Sequence, residues 1–132
     1  MSNHLHLVVK AIGNNLSEIL RDFKSYTAKE IRKTIATEQE SRREWMQKLF
    51  FEAGKANPNN TNFQFWQQDN HYKEIRNKKF AFQKFDYIHN NPVEAGIVYK
   101  AGEYVYSSAI DFYYGKNRGL LQIRFWDEEL SA

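Results

Sequence analysis

The chain has 132 residues, 42% of them apolar and 16% aromatic, enough for one packed domain and too apolar for a disordered polymer. It contains no cysteine, which excludes disulfides, thiolate nucleophiles and cysteine-zinc sites, so a metal would be held by His, carboxylate or amide groups. The net charge of +3 suits a polyanionic partner, and with neither a signal-peptide layout nor an apolar run near the roughly 20 residues of a membrane span, a soluble cytoplasmic protein is expected.

Residues 4–9 (His-Leu-His-Leu-Val-Val) mix alternation with β-branched side chains and are closed off by Gly13-Asn14-Asn15, which predicts a strand. From Leu16 the apolar positions Ile19, Leu20, Phe23, Ile31 and Ile35 fall at helical spacing, so a helix over about 16–35 follows, with Asn15 and Glu18 placed as a capping box. Thr37 and Glu40 repeat that spacing ahead of a second apolar face, Trp45, Met46, Leu49 and Phe50, which Gly54 is expected to end. Residues 54–62 are dense in turn formers and read as a loop. Phe63 to Gln67 alternates again with high β-propensity and predicts a second strand. A third helix is expected from Lys78, capped by Asn77 and stopped by Asn91-Pro92. Ser107 can cap a short helix through Tyr114, and residues 120–126 suit a last strand or an extended tail.

Two constellations carry chemistry. His4 and His6 lie two apart in the first expected strand, where side chains face the same way with Cα atoms about 6.6–6.8 Å apart, so both imidazoles can converge on one cation. The same spacing also fits two histidines on a half-exposed strand. In the third helix, Ala81, Phe82, Phe85, Ile88 and His89 make the apolar stripe, and Phe80, Lys84, Tyr87 and Asn91 an adjoining face. Tyr87 and Asn91 stand one turn apart, with Lys84 on the same flank, so a phenol, an amide and an ammonium are presented together. A core-edge tyrosine beside an asparagine that merely precedes Pro92 gives the same pattern.

The two stretches together resemble a family. Residues 2–9, Ser-Asn-His-Leu-His-Leu-Val-Val, look like the metal-binding motif of HUH single-tyrosine transposases, with Ser2 where proline is usual. Residues 87–98, Tyr-Ile-His-Asn-Asn-Pro-Val-Glu-Ala-Gly-Ile-Val, look like the tyrosine-helix motif of REP-associated tyrosine transposases. Residues 65–71 and 104–109 are similar to further landmarks of that family, in the family's order.

The resemblance implies an α+β, ferredoxin-like antiparallel sheet with helices on one face. It also implies a bacterial, nucleoid-associated enzyme that cuts and rejoins single-stranded or hairpin DNA through a 5′-phosphotyrosine bond. By position, Tyr87 is the nucleophile, and His4, His6 and Asn91 the ligands of Mn²⁺ or Mg²⁺. A phenol ionising near pH 10 is mostly protonated at neutrality and gains from a nearby cation, and imidazole, amide and phosphate donors suit those ions, Mn²⁺ better. Lys84, His71, Lys78, Lys79 and Arg76 are the candidate DNA contacts.

Because the motif begins at residue 3, the family's N-terminal strand and helix are expected to be missing. An open sheet edge follows from that, and a homodimer that covers it. The alternative reading is a catalytically degenerate module that grips hairpin DNA without turnover.

Overall fold

The computed structural model describes residues 4–58, 62–68, 70–115 and 118–120. Their regular structure is helical: α1 (Leu16–Thr37), α2 (Arg43–Lys55), α3 (Lys78–Glu94), a 3₁₀ turn (Ala101–Glu103) and α4 (Ala109–Tyr114). The chain divides into two compact units, one of residues 9–72 and the other of residues 4–8 together with the segment from Lys73 onward.

The ferredoxin-like antiparallel sheet is not found: no β-strand occurs among the described residues. Residues 4–9 are irregular, with Leu5, Leu7 and Val9 each about half exposed. Alternation fixes which side chains face the same way, but a strand exists only where a neighbour pairs with its backbone. The expectation of a homodimer built on an open sheet edge loses its premise with the sheet. The strand or tail expected at 120–126 lies, from residue 121 on, outside the described residues.

In the unit of residues 9–72, α1 runs two residues past its expected end. Thr37 therefore caps nothing; it closes α1 with its Oγ1 donating to the Lys33 carbonyl (3.0 Å). The expected Asn15–Glu18 capping box is absent as well. Asn15 makes no side-chain cap bond, and its carbonyl accepts from the Glu18 and Ile19 N–H groups, both at 3.1 Å. Ahead of α2, Glu40 takes up the free amides, its carboxylate accepting from Arg42 N–H (2.9 Å) and its carbonyl from Arg43 N–H (3.1 Å).

Residues 63–67, expected as a strand, are instead irregular, with Phe63 and Phe65 packed on α2 and Trp66 on α1. Phe50 meets Phe63 and Phe65 at ring separations of 5.3 and 5.2 Å, and Gln64 N–H donates to the Phe50 carbonyl (2.9 Å). The buried Gly54 permits this approach, because a Cβ there would collide with the Phe63 backbone. Alanine would gain about 1 kcal/mol of helix propensity. The collision outweighs that gain, since a backbone neighbour cannot rotate away. Gly54→Ala is expected to lower unfolding free energy by about 1–2 kcal/mol in urea titration; an unchanged or raised midpoint would contradict this packing.

In the other unit, α3 starts as expected, with the Asn77 side chain accepting from Phe80 N–H (2.9 Å). It does not stop at Asn91. Pro92 lies inside the helix, removing one backbone donor, and two more residues follow. The end is a Schellman turn: Gly96 N–H donates to Val93 O and Ile97 N–H to Pro92 O, both at 2.9 Å, with Gly96 at φ +68°.

Phe82, Phe85 and His89 of α3 pack against Phe112 of α4 at ring separations of 6.4, 5.9 and 5.3 Å. Beside them Ala81 and Ala109 are buried. Ser107 acts ahead of α4 through its Oγ, which accepts from Ala109 N–H (3.2 Å). The buried Asp111 carboxylate accepts from the Arg118 and Gly119 N–H groups (2.6 and 3.0 Å), tying the segment after α4 back onto it. Among the described residues no helix is long and apolar enough to cross a membrane.

Candidate active site

The unit containing α3 brings residues 4 and 6 to the residue 87 side chain. The His6 and Tyr87 rings meet edge to face at 5.9 Å, and the His4 ring lies parallel to that of His6 at 6.2 Å, with 6° between the planes. Two rings from the start of the sequence thus meet one from α3, about 80 residues further on. Tyr87 is 54% exposed, so its hydroxyl is open to a large substrate. One turn before it, Lys84 sets its Nζ 5.0 Å from the Phe80 ring centroid and 5.7 Å from that of Tyr87. The i, i+4 and i, i+3 spacings of a helix place this ammonium between the two rings.

His6 is half-buried, and its Nε2 has no hydrogen-bond partner among the described residues. Burial, and then the charge of neighbouring His4, push its pKa below the ordinary 6.5. The imidazole is therefore neutral at pH 7 and offers a lone pair.

Asn91, one turn beyond Tyr87, is buried rather than on an open face, and its Nδ2 is likewise without a partner. A half-turn of that carboxamide about χ2 presents Oδ1 at the same place. Buried polar atoms at His6 and Asn91 are thus left without a partner among the described residues, as are Arg43 Nε and His89 Nδ1. Two imidazoles and a carboxamide are neutral donors that suit Mn²⁺. Among the described residues no three His, Cys, Asp or Glu side chains converge. An ion on the two imidazoles would therefore need donors other than a third His or carboxylate side chain of the described residues. Rotation about χ1 and χ2 is required to bring both rings within about 2.1 Å of one ion.

The remaining candidates make no ring contact of this kind. Lys78 and Lys79 are exposed in the first turn of α3, with no carboxylate partner among the described residues. Arg76 is paired with Glu74 (2.8 Å), which offsets its charge. His71 is exposed and belongs to the unit of residues 9–72.

Two residues after Tyr87, His89 is 1% exposed. Its ring is enclosed by Phe85, Phe112 and Tyr113 at 6.3, 5.3 and 5.8 Å. Its Nε2 lies 3.0 Å from Ser108 Oγ, whereas Nδ1 is buried without a partner. A bare lone pair costs less than a bare N–H, so the proton belongs on Nε2, donated to Ser108. The stripe assignment of His89 implied burial; the serine partner had no signal in the sequence.

Burial pushes the His89 imidazole below its ordinary 6.5, against the opposing pull of Asp86. Below that value the unfolded chain binds a proton that the folded chain refuses, so stability falls as the pH drops. The slope stays below the about 1.4 kcal/mol per pH unit that one full proton allows, and it flattens below the folded value. Urea midpoints between about pH 5 and 7 should show this slope, and His89→Phe should remove it; an equal slope in both proteins would contradict the assignment.

No family model, no curated protein and no solved structure matches the chain.

Proposed function

We propose that this chain cuts and rejoins single-stranded or hairpin DNA by transesterification at Tyr87, as its two motifs' resemblance to HUH single-tyrosine and REP-associated tyrosine transposases implies. What supports the reading is the ring contact between His6 and Tyr87 (5.9 Å), residues drawn from the two separate motifs.

In this reading the Tyr87 oxygen attacks the scissile phosphorus. The Tyr87 O–P bond forms as the P–O3′ bond breaks, the phenolic proton leaves to water, and the 3′ oxygen is protonated to a free hydroxyl. Rejoining is the reverse, with a 3′-OH attacking the 5′-phosphotyrosine. Lys84 offers a cation to the charge that develops on the phenolic oxygen. His4, His6 and Asn91 would hold the divalent ion, and the chemistry it supplies when bound is polarisation of the scissile phosphate. Lys78 and Lys79, exposed at the start of α3, would in this reading contact the DNA backbone. The working location is then the cytoplasm, at the nucleoid.

The test is a hairpin DNA labelled at either end, incubated with the protein and Mn²⁺ and run under denaturing conditions. Label 3′ of the cut should shift to a protein-linked species, while label 5′ of the cut should appear on a free fragment. DNA that binds natively but yields no such species would favour the non-catalytic hairpin-binding alternative.

A further inference from the structure

In the unit of residues 9–72, α1 and the 63–66 segment enclose an open groove of about 400 Å³ that is distinct in composition from the row around Tyr87. Its α1 wall carries Lys24, Lys29 and Arg32, its other wall Phe63 and Trp66, and no acidic side chain among the described residues lines it.

The geometry separates the roles. Lys24 is spent on neutral acceptors, its Nζ donating to the Gln67 carbonyl (3.1 Å) and Asn70 Oδ1 (2.7 Å), so it ties α1 to the 67–70 stretch and has no carboxylate partner among the described residues. Lys29 and Arg32 are exposed and have no carboxylate partner among the described residues. The Arg32 guanidinium stands 5.0 Å from the Phe63 ring centroid, at the groove's edge. Trp66 is anchored by its Nε1–H donating to Thr27 Oγ1 (3.0 Å) and by Phe65 edge-on at 5.0 Å. A pre-positioned indole loses little freedom when a flat group stacks on it.

Fixed aromatic surface beside unpaired cations is the arrangement that binds an unpaired base joined to phosphodiester, the rings taking the base and the cations the backbone. An acidic peptide would satisfy the cations but would leave Trp66 without a flat partner. A duplex hides its base faces. We propose that this groove is a single-stranded DNA site in which Trp66 stacks on a base and Lys29 and Arg32 hold the adjoining phosphates. The choice of DNA rests on the function proposed above; the site itself does not involve Tyr87, His4 or His6.

The test uses the full chain carrying Tyr87→Phe, without divalent metal, so that binding is read separately from cleavage. A fluorescent oligothymidylate should bind. Lys29→Ala/Arg32→Ala, two exposed positions, checked for native helix content because Arg32 also rests on the Phe63 ring, should weaken it roughly tenfold and lower the slope of log affinity against log salt by about 1.4. With Trp45 and Trp126 replaced by Phe, the fluorescence of Trp66 should be quenched on binding. Trp66→Phe keeps an aromatic face and should retain most of the affinity; Trp66→Leu, checked for native helix content, should lose about five- to a hundredfold.

Equal affinity for a duplex of the same length, an unchanged salt slope in the double variant, absence of quenching, or equal competition by polyglutamate would each overturn the site. If the same chain with Tyr87 restored, given Mn²⁺ and hairpin DNA, never forms an adduct, that would overturn the cleavage reading and leave the groove standing. An adduct formed undiminished by the double variant would do the opposite.

Discussion

Tyr87→Phe is expected to leave hairpin DNA binding within about twofold of the parent while covalent adduct formation falls by more than about a thousandfold. The substitution removes one oxygen and nothing else. The edge-to-face contact with His6 uses the ring, which phenylalanine keeps, as does the approach of the Lys84 ammonium. Tyr87 is also half exposed, so its hydroxyl contributes no buried hydrogen bond whose loss would unsettle α3. Thermal unfolding should therefore be unchanged, and binding and chemistry separate cleanly. A Phe variant that still forms the adduct would move the nucleophile elsewhere. Tyr113 and Tyr114 are the exposed tyrosines of α4 to test next.

His4→Ala and His6→Ala are each expected to weaken Mn²⁺ binding by at least about a hundredfold in calorimetry, since each removes one of two imidazoles from the same donor set. The two variants should differ in pH dependence. His6 is the partly buried member, and its lowered pKa favours the neutral form that can bind a cation. In the His4→Ala chain the like-charge contribution to that lowering is gone, so protons should compete with the ion from a higher pH. Asn91→Ala should cost less affinity than either histidine and more stability, because Asn91 is buried in α3. Mn²⁺ affinity unchanged in both histidine variants would dissociate the ring row from any metal.

The parts of this molecule that were legible in its sequence are those decided by one helix and its ends. Asn77 caps α3 where its spacing to the apolar stripe says it should, because capping is a local bond between a side chain and an amide three residues on. The face of α3 that carries Lys84 and Tyr87 followed from 100° per residue alone.

Pro92 was misread because a proline is costly in a helix interior but not forbidding. Near a helix end the loss is one amide bond, and the carbonyl of Pro92 is reused by Ile97 N–H in the Schellman turn. Residues 4–9 and 63–67 were misread for a different reason. Alternation correctly put Phe63 and Phe65 on the same partner, Phe50, and His4 beside His6. It carries no information about whether another strand is present to complete a ladder. Asn91 illustrates the remaining gap. Its place one turn from Tyr87 was readable, but its burial depends on what packs over α3, and helical periodicity alone does not contain that.

The central claim, that Tyr87 becomes covalently joined to DNA, is tested most directly by locating the bond. Protein incubated with hairpin DNA and Mn²⁺, stripped with nuclease and digested with protease, should yield one peptide bearing a nucleotide phosphate, and fragmentation should assign that mass to Tyr87. The same mass on any other residue, or none on the Tyr87 peptide when DNA has been cut, would contradict the account.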